Sequence, residues 1–209
     1  LERREQLAEM QAELDRELEQ LAEAEQVMAQ IRELTEEWEQ FGLPLFRRYF
    51  TALAAAMEQL PTIIVEYDDI LTSRGLQWTF HLSDEVLNDF LRRLDESFHN
   101  LTFTFEEERI IAEGQDGDVV LYLAGQYMLE DEPVHHIGFE LQELHYRGYE
   151  LPESTRQMLN EEFDLGIYPQ NIVPFVTATH IEVEEGMLRV MLELSMGSSR
   201  STSRDSSQR

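Results

Sequence analysis

Phe103-Thr-Phe-Glu-Glu-Glu-Arg-Ile-Ile111 and Ile181-Glu-Val-Glu-Glu-Gly-Met-Leu-Arg189 are two versions of one pattern. In each, alternating apolar residues run into an acidic or glycine turn and out again, which is a β-hairpin signal. Each pattern follows an amphipathic helical stretch, residues 84–98 in the first case and 153–163 in the second. Helix plus hairpin, written twice, predicts an α+β fold: a curved antiparallel sheet packed on amphipathic helices and enclosing apolar space.

Outward from the hairpins, residues 76–82 alternate as a strand, and Ser83 is placed to cap the helix that begins with Asp84 and Glu85. Val86, Leu87, Phe90, Leu91, Leu94 and Phe98 form its apolar stripe. Residues 119–128 and 134–144 read as long strands around the acidic turn at 130–133. Their apolar phases run through Val120, Tyr122 and Ala124, and through Ile137, Phe139 and Leu141. Leu144 falls out of phase, so a bulge or strand end is expected near it. Residues 62–67 are β-branched and short, and read as a strand.

Residues 1–41 carry one long helix signal. Leu7, Leu14, Leu21 and Met28 recur every seven residues, and Met10, Ala24, Ile31 and Trp38 follow three residues behind members of that register, with Glu17 interrupting. That pattern suits a coiled coil or a long docking helix. Two alternatives stand: a solvated helix packed on its own domain, or a self-associating or membrane-proximal stalk, with residues 1–40 as the oligomerising segment. Gly42 is expected to break this helix and Pro61 to end the next, giving an amphipathic helix at 42–61 and a helix-plus-hairpin domain at 62–196. Residues 197–209 hold no apolar side chain, carry net +2 and are expected to be a disordered tail.

The chain of 209 residues has a formal net charge of −27, with sixteen arginines and no lysine. Such a balance repels nucleic acid and anionic lipid surfaces, whose affinity for proteins comes from basic residues. Cysteine is absent, which removes disulfides, thiolate nucleophiles and cysteine-held metals.

The order of pieces over residues 62–195 resembles the LmeA-like and YpmS-like bacterial envelope lipid-binding proteins. Two segments carry the likeness: Leu82-Ser-Asp-Glu-Val-Leu-Asn88 ahead of the first hairpin, and Leu151-Pro-Glu-Ser-Thr-Arg-Gln-Met-Leu-Asn160 ahead of the last strand pair. The resemblance implies an extracytoplasmic domain that holds a lipid or other amphiphile in an apolar groove, with a membrane anchor upstream of Leu1. The long acidic first helix lies outside that pattern.

No catalytic signature is present. His135 and His136 would point to opposite faces of a strand, and the next same-face acid, Glu140, is about 13 Å from His136 along it, too far to share an ion. Acidic pairs such as Glu106-Glu107 and Glu161-Glu162 read as solvated turns and faces. Neither a cofactor nor a metal is expected. Phe90, Leu94, Tyr122 and Phe139 are the candidate apolar lining of a ligand site. The expected function is non-enzymatic binding of a lipid or amphiphile. The alternative is a scaffold that self-associates through its first helix and binds a protein partner.

Overall fold

The two hairpins form where the pattern places them, in a computed structural model that describes residues 2–67, 69–132 and 134–194. Strands β3 (Leu101–Glu106) and β4 (Arg109–Asp116) make the first, and β8 (Val176–Glu184) and β9 (Met187–Leu194) make the second. Their turns are equivalent residue for residue. Glu108 (φ 67°) and Gly186 (φ 77°) hold the same left-handed position, which glycine adopts freely and glutamate at a cost. The two turns also bind each other reciprocally. Glu108 N–H donates to the Val183 carbonyl (3.0 Å) and Gly186 N–H donates to the Phe105 carbonyl (2.9 Å). Because 108 aligns with 186 and 105 with 183, the sequence repeat is a two-fold-like exchange of hydrogen bonds.

The α+β architecture has two antiparallel sheets. One orders β1 (Leu71–Arg74), β2 (Gln77–Ser83), β9 and β8; the other orders β3, β4, β5 (Val119–Glu130), β6 (His136–Tyr146) and β7 (Tyr149–Glu150). The expected bulge is present: Ala124 pairs with Glu143 but Gly125 pairs with Leu141, leaving Gln142 unpaired and restoring Leu144 to the core face. The core face of β5 is the opposite of the one expected. Leu121 and Leu123 are buried, whereas Val120 is 52% exposed. Ala124 is buried as well, so both parities of this strand look apolar and the period of two cannot choose between them.

The chain divides into two compact units, residues 1–48 and the remainder from Tyr49. Helix α1 (Glu2–Glu37) passes into a π-helical turn (Trp38–Gly42) and on into α2 (Leu43–Glu58), within which the division between the units falls. Gly42 therefore does not break the helix. The cause is Pro44, whose ring would clash with the carbonyl one turn back. A wider turn, closed by Leu43 N–H on the Trp38 carbonyl, relieves that clash without stopping the helix. Trp38 rests against Phe46 at 5.6 Å.

In the second unit, Pro61 opens a helix instead of ending one. Helix α3 (Leu60–Glu66) has Pro61 in its first turn, where the missing N–H costs nothing. Residues 62–67, expected as a strand, lie largely in this helix because Leu60 and Ile63 are fully buried there. Tertiary burial outweighs a β propensity worth a few tenths of a kcal/mol per residue. Helices α4 (Asp84–Leu94) and α5 (Glu153–Glu162) lead toward the two hairpins, and the short α6 (Pro169–Ile172) precedes β8. Ser83 caps α4 as expected, accepting from Val86 N–H at 3.2 Å. The tail at 197–209 lies outside the described residues.

Candidate functional site

The space expected to hold a guest lies between the helices and both sheets, among Leu53, Leu91, Phe105, Tyr127, Phe139 and Leu188. Its free volume is about 30 Å³. That is the share of one water molecule, and a dry apolar cavity that seats benzene is about five times larger. Side chains fill this interior.

The four candidate lining residues are scattered. Phe139 borders the slot, and its ring lies over Gly125, where a Cβ would come within 2.2 Å of it. Phe90 is buried on α4 away from the slot. Leu94, in the last turn of α4, is 37% exposed. Tyr122 belongs to the other face of β5, against His145 at 4.9 Å. Its phenol is raised above its ordinary range by burial first and by the nearby Glu143 carboxylate second.

Residues 82–88 and 151–160 each end in an asparagine that ties its helix to a strand. Asn88 is buried on α4. Its amide donates to the Phe103 carbonyl (2.7 Å) and to the Asp84 carbonyl (2.7 Å), and its oxygen accepts from Phe103 N–H (2.9 Å). Phe103 lies on β3, an edge strand, so the amide stands in for a neighbouring strand. Asn160 repeats the device from α5: its oxygen accepts from Leu141 N–H at 3.0 Å and its amide reaches the Leu141 carbonyl at 3.5 Å. The leucine ahead of each, Leu87 or Leu159, is buried. Both motifs are helix-to-strand clamps.

The adjacent histidines take separate partners. His135 Nδ1 lies 2.7 Å from Asp131 Oδ1, and Nε2 lies 2.6 Å from the Ala178 carbonyl. A carboxylate and a carbonyl only accept, so both contacts are hydrogen bonds together only when both ring nitrogens carry protons. Asp131 first, and the Ala178 carbonyl second, raise its pKa above the usual histidine range. A raised pKa stabilises the fold fully below the unfolded value, and that contribution is lost as pH rises through the folded value. The urea midpoint of the wild type is therefore expected to exceed that of His135→Gln at about pH 6, with the gap narrowing by about pH 9. A gap independent of pH in that window refutes the charged bridge.

His136 takes the Val134 carbonyl at 2.8 Å and stacks on Tyr168 at 5.1 Å and 8°. Tyr168 donates to Asp164, and that hydrogen bond, with burial, pushes its phenol up to about 12. Among the described residues no three histidine, aspartate or glutamate side chains converge as a metal site.

The other candidate surface is α1. Leu7, Met10, Leu14, Leu21, Met28 and Ile31 are each 52–66% exposed along the heptad seam. Leu18 and Val27 flank it and are exposed to a similar degree. The helix is 36 residues long, about 54 Å at 1.5 Å per residue. No helix among the described residues is long and apolar enough to cross a membrane. No family model, curated protein or solved structure matches this chain.

Proposed function

We propose that this protein is a non-enzymatic scaffold that associates with a second copy of itself through α1 and presents its α+β unit to a protein partner. The observation that carries this reading is the exposed apolar seam. A lone helix in water draws most of its stability from packing an apolar face, and α1 offers its leucines to solvent. A seam of period seven is the pattern a helical partner covers.

The seam's charges favour a second copy as that partner. Taking Leu7 as the first heptad position, nine of the thirteen acids in residues 1–40 fall on the outer positions b, c and f. In a parallel pair the flanking contacts would be Gln6–Gln11, Glu13–Leu18, Gln20–Glu25, Val27–Arg32 and Leu34–Glu39. None joins like charges. Glu17 alone puts an acid in the seam, a device that lowers stability and restricts register.

Carriage of a lipid inside the domain has less support, because an acyl chain of roughly ten methylenes would need far more space than the slot offers. Sedimentation equilibrium on the full chain tests the scaffold. A concentration-dependent oligomer is expected, and added salt should strengthen it by screening repulsion between two acidic helices. A chain that stays monomeric at every concentration and salt level rules the reading out.

A further inference from the structure

A second surface lies where the two hairpins meet, and it deepens the scaffold reading by naming the partner. A groove of about 1070 Å³ runs between β8, the β3–β4 turn and the end of β5. Its apolar lining includes Phe105, Met128, Leu129, Ile181 and Val183. Its rim is acidic, with Glu106, Glu107 and Glu108 from one hairpin and Glu182, Glu184 and Glu185 from the other. Arg109 pairs with Glu106 at 3.1 Å, and Arg189 pairs with Glu182 at 2.9 Å and Glu184 at 3.5 Å. Among the described residues, Glu107, Glu108 and Glu185 have no cationic partner.

The backbone of the groove is also open in one place. β3 and β8 are both edge strands. The β3 edge is closed by Asn88 on Phe103 and by Gly186 on the Phe105 carbonyl. On β8 the Ala178 carbonyl is taken by His135 and the Val183 carbonyl by Glu108. Between those two points Thr179 and His180 are exposed, and no side chain among the described residues hydrogen-bonds the β8 backbone on that side. An uncovered edge beside a groove is where an extended chain can add as a strand.

We propose that this groove docks an extended basic segment of a partner protein, laid along β8, with arginine or lysine side chains toward Glu107, Glu108 and Glu185 and alternate apolar side chains on the groove floor. The body of a second copy is a poor occupant, because the acidic excess of this chain lies there and the net +2 is confined to residues 197–209. Nucleic acid and anionic membrane are repelled by the same rim.

Fluorescence anisotropy on the full chain tests this with a labelled peptide of about ten residues, enough to span about 33 Å as a strand, alternating arginine and valine. Two companions replace every arginine with glutamate or every valine with serine. Binding of the arginine–valine peptide, weakened by salt, is expected, with both companions at least about tenfold weaker. Glu107→Arg with Glu185→Arg should weaken binding about tenfold or more, whereas Glu9→Arg with Glu23→Arg on α1, an equal change in net charge, should leave it within about twofold. Equal losses in the two variants, equal binding of the serine peptide, or no binding by the wild type each overturn the proposal. Sedimentation of the same samples reads self-association separately, so one reading can fail while the other stands.

Discussion

Replacing Leu14 and Leu21 of α1 with glutamate is expected to convert the self-associated chain to monomer while leaving the α+β unit folded. Both side chains are more than half exposed in the single chain, at 54% and 60%, so neither supports the monomer's own core. Burying a whole leucine contributes about 1.5–3 kcal/mol, and roughly half of that is still available at each position. Four such side chains across a two-fold interface give about 3–6 kcal/mol, or about two to four orders of magnitude in Kd. The substituted carboxylates add repulsion, because they would face one another and Glu17 within the seam. Sedimentation equilibrium should give the monomer mass for the variant at concentrations where the wild type associates. The near-ultraviolet circular dichroism of Trp78 and the buried aromatic residues of the α+β unit should persist, with any change confined to Trp38, which lies in the seam. If the variant associates as tightly as the wild type, α1 is not the interface.

The hairpins were legible because two independent signals coincide in them. Alternation of period two identifies the strands, and a short acidic or glycine turn fixes the register; Glu107-Glu108 and Glu185-Gly186 supply both. The helix after Ser83 was legible for a similar reason, since its cap and its apolar stripe agree. Errors arose where only one signal was present. On β5 both parities carry apolar residues, so alternation puts Tyr122 on the core face, whereas it lies on the other. At 62–67 intrinsic preference stood alone, and the burial that overrules it comes from residues distant in sequence. At Gly42 a residue that usually stops a helix sits inside a widened turn that only the geometry of Pro44 explains. The candidate site was less legible than the fold. An aromatic side chain filling a core and one lining a cavity have the same sequence signature, and the slot beside Phe139 shows the core reading to be the physical one. The acidic rim of the groove was visible only as glutamate-rich turns. Its meaning depends on two turns 78 positions apart being brought together by the exchange between Glu108 and Gly186.

Asn88→Leu is expected to be the most damaging single substitution in the α+β unit, and Asn160→Leu a much milder one. Leucine shares asparagine's γ-branched skeleton, and although its methyls are bulkier its apolar character suits a buried site, so transfer of the side chain alone predicts no loss. The hydrogen bonds predict otherwise. Without the amide, the N–H and C=O of Phe103 stay buried on the β3 edge with no partner, since the β4 side of that residue faces away. Each unpaired group costs about 1–3 kcal/mol, which puts the total at roughly 2–6 kcal/mol, a large share of a domain's net stability. Asn160 holds Leu141 with one bond of 3.0 Å and one of 3.5 Å in a half-buried position, where water can replace it. Its loss should cost about 1 kcal/mol. Asn88→Asp separates the two causes: the carboxylate can still accept from Phe103 N–H, but it then faces the Phe103 carbonyl and cannot donate. It should be at least as destabilising as leucine despite its asparagine-like shape. Urea unfolding followed by far-ultraviolet circular dichroism measures all three variants. Equal small losses at both asparagines would mean that packing of Leu87 and Leu159, not the amide clamps, ties the helices to the sheets.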